Sequence, residues 1–126
     1  MQENNKILVV EDDLRSAKLL KSLLVISGYE VMVIDNAEAA ISIAREKLPD
    51  LITMDHRLPG MNGEEAFKIL KADEKTKNIP VVFVTASVMD DDKERLESYH
   101  CKVIIKPIDT RTFVREIEEV LNVSRG

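Results

Sequence analysis

Five short apolar runs punctuate the chain: Lys6 to Val10, Glu30 to Ile34, Leu51 to Met54, Val81 to Val84 and Val103 to Ile105. They are rich in β-branched residues and bounded by charges or turn formers, and Leu51 to Met54 and Val81 to Val84 read as strands buried on both faces. Between them apolar residues return at helical spacing. Ala17, Leu20, Leu23 and Leu24 predict a helix from Leu14 to Ser27, with Gly28 where a left-handed cap is expected. Ala37, Ala40, Ile41, Ala44 and Leu48 predict a second, stopped by Pro49, and Ala66, Phe67 and Leu70 a shorter third, ending before the polar connection Asp73 to Asn78. The segment from Asp90 to Tyr99 is helical in composition, with only a thin apolar stripe of Met89, Leu96 and Tyr99. Phe113, Ile117, Val120 and Leu121 give the last helix its apolar face. Residues 1–5 are expected to be a disordered N-terminal segment and 122–126 a frayed tail, leaving one domain over 6–121.

Strands alternating with helices call for an α/β, doubly wound, mostly parallel sheet with helices on both faces, a three-layer sandwich. Alternation alone leaves strand order open. The order 2-1-3-4-5, common among doubly wound sheets, would set the first and third strands side by side at the switch point where ligands bind. Asp12 and Asp55 would then be neighbours.

Size and charge narrow the function. A chain of 126 residues fits one core, and its single cysteine, Cys101, excludes an internal disulfide. A net charge of -5 argues against a nucleic-acid or anionic-membrane surface. No apolar run is long enough to cross a bilayer, and Met1 to Asn5 lacks the features of a secretory signal, so a cytoplasmic protein is expected.

The chemistry lies at the strand ends. Glu11-Asp12-Asp13, Asp55, Thr85-Ala86 and Lys106-Pro107 all fall on one edge of the proposed sheet. Carboxylates gathered there repel unless a cation offsets them, and a hard divalent ion such as magnesium takes one or two carboxylates beside water and phosphate oxygens. Asp12 and Asp55 are the natural direct ligands, with Glu11 acting through water. A carboxylate is also a nucleophile that needs no base near neutral pH. Asp55 could attack a phosphoryl group, with the metal, Lys106, the Thr85 hydroxyl and the backbone amide of Ala86 supplying charge to the equatorial oxygens.

Val9-Val10-Glu11-Asp12, Met54-Asp55-His56-Arg57-Leu58-Pro59-Gly60-Met61-Asn62-Gly63, Val84-Thr85-Ala86 and Lys106-Pro107 together resemble the receiver domain of two-component response regulators, with every motif in order from about Lys6 to about Leu121. The resemblance implies a (βα)5 flavodoxin-like fold with sheet order 2-1-3-4-5. It implies Asp55 as phosphoacceptor, Glu11, Asp12 and the backbone carbonyl of Arg57 as further magnesium ligands, Thr85 and Lys106 as phosphate sensors, and a cis peptide before Pro107. It also implies a sensor histidine kinase or histidine phosphotransfer protein as donor, and a downstream protein partner on the face of the fourth helix, fifth strand and fifth helix. Such a domain catalyses only its own phosphorylation and dephosphorylation. Two positions depart from the pattern. Val103 stands where receivers often carry an aromatic residue, and Tyr99-His100-Cys101-Lys102 replaces a small Gly-Ala pair. Arg57 and Ser87 flank the acceptor at positions that vary in the family.

Other readings follow from the same residues. A constitutive protein-binding module that does not use phosphorylation is the alternative function, kept open by Val103. A phosphohydrolase of the haloacid-dehalogenase type needs a second aspartate two residues after the nucleophile, where this chain has Arg57. His56 reads as a structural residue, because neighbours along a strand point to opposite sides. His100 and Cys101 lack further ligands for zinc. Asp13 is expected to cap the first helix, and Asp90 to Asp92 to be a solvated helix start.

Overall fold

The computed structural model describes residues 5–86 and 90–125. Residues 1–4, and with them most of the expected N-terminal segment, lie outside the described residues, as do Ser87, Met89 and Gly126. The elements alternate strictly: β1 (Lys6–Val10), α1 (Leu14–Ile26), β2 (Glu30–Ile34), α2 (Ala37–Lys47), β3 (Leu51–Met54), α3 (Gly63–Ala72), β4 (Val81–Thr85), α4 (Asp90–Glu97), β5 (Val103–Ile105) and α5 (Phe113–Arg125). The five strands form one parallel sheet in the order β2-β1-β3-β4-β5, as the flavodoxin-like reading requires.

The pleat sorts the core into two layers. Leu8, Val10, Ile52, Met54, Val81 and Phe83 pack with residues of α2, α3 and α4, whereas Ile7, Val9, Leu51, Val82, Val84 and Ile104 pack with α1 and α5. Alternate residues of one strand thus serve different layers, which is why the strands read as continuous apolar runs. Helix starts are fixed by side chains. Asp13 accepts from the backbone N–H groups of Arg15 and Ser16, Asn36 from Ala39 and Asn62 from Glu65. Gly28 closes α1 at φ 97°, where a side chain would be strained.

Among the boundaries that differ from the sequence reading, three change what a residue does. Leu48 does not join the buried face of α2; it takes a left-handed φ of 48° and is 53% exposed. Pro49 disfavours helical backbone at the residue before it, so the helix closes at Lys47. The α4 helix stops at Glu97, while Leu96 and Tyr99 still pack on the α3 side of the sheet. The last helix runs through Arg125, so Asn122 to Arg125 continue it instead of fraying. The Lys106–Pro107 peptide is cis, matching what the resemblance implies.

Candidate functional site

Register brings the acidic residues together. Val10 pairs with Met54 across β1 and β3, so the residues that follow each strand, Glu11 and Asp55, emerge side by side. The Asp55 amide still donates to the Val10 carbonyl at 3.2 Å, which holds the acceptor in line with the sheet. On the other side, the Lys106 amide donates to the Thr85 carbonyl at 2.8 Å and fixes β5 against β4. One carboxylate oxygen each from Glu11, Asp12 and Asp55 lies within 4.8 Å of the others.

Both carboxylate oxygens of Asp55 are engaged. Oδ1 accepts from the Arg57 amide at 3.0 Å and the Thr85 hydroxyl at 3.2 Å, and Oδ2 accepts from Lys106 Nζ at 3.3 Å. Lys106 Nζ also donates to Glu11 Oε1 at 2.5 Å, so its ammonium sits between two carboxylates. Burial by itself lowers the Lys106 pKa, but the Glu11 hydrogen bond and the charges of Asp55 and Glu11 outweigh it, and Lys106 titrates above an ordinary lysine. Burial pushes the Glu11 carboxyl above the usual range despite Lys106.

Three clustered oxygen donors offset by one ammonium suit a hard divalent ion, which prefers few carboxylates and completes its shell with water. The residues present therefore fit magnesium. Ala86, exposed just past β4, lines an open cleft of about 580 Å³ with Asp13, Arg15, Ser16, Leu19, Lys106, Pro107 and Ile108.

Gly63 opens α3 against the acceptor's own backbone. A Cβ there would lie 2.1 Å from the Asp55 carbonyl oxygen and 2.8 Å from Met54 Cγ, so only glycine fits. The Gly63 amide donates to the His56 carbonyl at 3.0 Å and closes the loop. The turn residues Pro59, Gly60 and Asn62 return the chain to that contact.

His56 is buried, in keeping with the structural reading, and its ring contacts Thr85. Its side chain is buried, 5% exposed, and Nδ1 lies 2.5 Å from Thr85 Oγ1. Alternation does put it on the face opposite Asp55, continuing Ile52 and Met54 toward α3 and α4. Thr85 continues Val81 and Phe83 onto that same face, and its hydroxyl reaches both residues. The signal was in the sequence as two matching parities. Burial, and then the Arg57 charge, hold the His56 ring below the ordinary histidine pKa.

A sequence profile described as the response regulator receiver domain matches residues 7–118. The chain belongs to this receiver family. It is 40% identical over 116 residues to the polar-differentiation response regulator DivK of Brucella anthropi, covering 91% of this chain and 94% of that protein. Among solved structures it resembles the receiver domain of a sensor histidine kinase from Pseudomonas aeruginosa PAO1, which holds a magnesium ion in its active-site cleft. The TM-score is 0.86 at 25% identity, covering 95% of this chain and 99% of that one. The receiver domain of a modulated diguanylate cyclase from Desulfovibrio desulfuricans G20 superposes with a TM-score of 0.86 at 29% identity, covering 98% of both chains. The acidic pocket of this receiver fits both a magnesium ion and a phosphorylation site. Val103 is half-buried in the layer that holds Phe67 and Phe83, and His100 adopts a left-handed φ of 60° ahead of Cys101. No helix among the described residues is long and apolar enough to cross a membrane.

Proposed function

We propose that Asp55 accepts a phosphoryl group in a magnesium-dependent reaction from the phosphohistidine of a sensor histidine kinase or a histidine phosphotransfer protein, and that this changes the domain's affinity for a downstream protein. The observation that carries the reading is the convergence of Glu11, Asp12, Thr85 and Lys106 on Asp55 from separate strand ends. An Asp55 carboxylate oxygen attacks phosphorus, and the new O–P bond forms as the donor's N–P bond breaks, its electron pair leaving with the imidazole nitrogen. Lys106 Nζ, the Thr85 hydroxyl and the Ala86 amide take the equatorial oxygens, the first two moving from the Asp55 carboxylate they already contact. Glu11, Asp12, Asp55 and the backbone carbonyl of Arg57 would hold the ion. Bound there, it offsets the carboxylate charge and polarises phosphoryl oxygen.

The domain, residues 6–121, then acts as a switch or phosphorelay carrier in the cytoplasm and not as a turnover enzyme on a separate substrate. The output surface is the face of α4, β5 and α5, with a protein and not nucleic acid or membrane as its partner. Incubation with acetyl phosphate and magnesium followed by intact mass is expected to show a phosphoryl-sized gain, absent in Asp55→Asn and with a chelator. No gain in the wild type, together with no binding of beryllofluoride, would favour a constitutive binding module.

A further inference from the structure

Both ring nitrogens of the buried His56 are engaged, and their partners fix the position of its proton. Arg57 Nε donates to His56 Nε2 at 3.3 Å. A guanidinium carries donors only, so Nε2 must present its lone pair and the ring proton sits on Nδ1. Nδ1–H then donates to Thr85 Oγ1, and the single hydroxyl hydrogen of Thr85 is directed to Asp55 Oδ1. Each link dictates the next. At the outer end, Arg57 Nη2 donates to Asp92 Oδ2 on α4 at 3.2 Å, and Arg95 donates to the same Asp92 carboxylate and to Glu64 on α3, both at 2.8 Å.

We propose that His56 is a positioning residue for the acceptor: a neutral Nδ1–H imidazole, fixed by Arg57, that turns the Thr85 hydroxyl onto Asp55 and ties the state of that carboxylate to α4 through Arg57 and Asp92. Every donor in the row from Arg57 to Asp55 points toward the acceptor. Charge added at Asp55 strengthens the nearest bond and, through the rigid ring, draws on the farther ones with the same sign. Arg57 answers to two sides, the ring inside and Asp92 outside. A shift of the ring therefore alters the contact that holds the β3–α3 loop to α4. The α4 end of this arrangement rests on the reading of Asp55 as acceptor, whereas the tautomer and the orientation of Thr85 do not.

The test uses the isotopically labelled full chain and long-range proton–nitrogen spectra of the His56 ring, recorded above its titration range, with and without beryllofluoride and magnesium. The wild type is expected to show the Nδ1–H tautomer, and beryllofluoride to move amide signals beside Asp55 and along Asp92 to Leu96. In His56→Leu the signals beside Asp55 still move, the α4 response is lost, and phosphorylation by acetyl phosphate slows about tenfold, the size expected for one lost hydrogen bond. His56→Asn, whose amide donates in place of Nδ1 but offers Arg57 no ring acceptor, restores the rate and not the α4 response. An Nε2–H tautomer in the wild type overturns the positioning role. An unchanged α4 response in His56→Leu overturns the relay alone. A wild type unmoved by beryllofluoride even beside Asp55 overturns the acceptor reading and the relay with it.

Discussion

Thr53 and Thr85 lie in neighbouring strands and are equally buried, 1% exposed each, yet one hydroxyl has two polar partners and the other has none among the described residues. Thr53 Oγ1 is the one buried side-chain polar atom without a hydrogen bond among the described residues. Its hydroxyl lost water on folding and gained nothing in return, so Thr53→Val is expected to stabilise the domain by roughly 1 kcal/mol. The urea midpoint measures this; a fall of similar size would mean that the hydroxyl has a partner. Sequence reading brought Asp55, Glu11, Asp12, Thr85 and Lys106 to one edge of the sheet, where the structure also gathers them, because each ends an apolar run, a signal that survives without contacts. The contact of His56 with Thr85 escaped because strand alternation tells which face a side chain takes, not what waits there. Comparing the parity of 52, 54 and 56 with that of 81, 83 and 85 would have placed His56 beside Thr85.

The weakest element by sequence, α4, is held by a few specific ties. Leu96 is fully buried, Tyr99 stacks at 4.9 Å from Phe67, and the Tyr99 hydroxyl and Arg95 both donate to Glu64. The Arg95 hydrogen bond, ahead of that from Tyr99, holds the Glu64 carboxyl below its usual range, and Arg95 does the same for Asp92. A carboxyl whose pKa is depressed by folding contributes stability above its unfolded pKa and loses it as the pH falls through the folded value. Arg95→Gln is therefore expected to lower the urea midpoint near neutral pH, with the gap to the wild type closing as the solution is acidified below about pH 4. A gap that stayed constant with pH would assign the loss to packing. The ties to α3 join residues more than thirty positions apart, so no periodicity announces them. The end of α2 could have been read more closely, since Leu48 precedes a proline.

Across the whole molecule, the 2-1-3-4-5 order decides that carboxylates from the first and third strands converge. Alternation in the sequence left that order open, and only the set of motifs pointed to it. Because Glu11, Asp12 and Asp55 are assembled by folding, magnesium is expected to bind the native state alone and stabilise it by mass action. At about ten times its dissociation constant the gain is roughly 1.4 kcal/mol. Thermal melts with magnesium and with a chelator measure the difference, which is expected to shrink in Asp12→Asn. No effect of magnesium in the wild type would count against the metal site.

The place where α3 meets the acceptor has a mechanical meaning. With the Gly63 α-carbon set against the Asp55 carbonyl, no side chain lies between helix and acceptor to act as a cushion. Close-packed contacts of this kind have low compressibility and transmit strain. The joint is a close-fitting bearing: a change in the backbone of the acceptor meets the first turn of the helix directly.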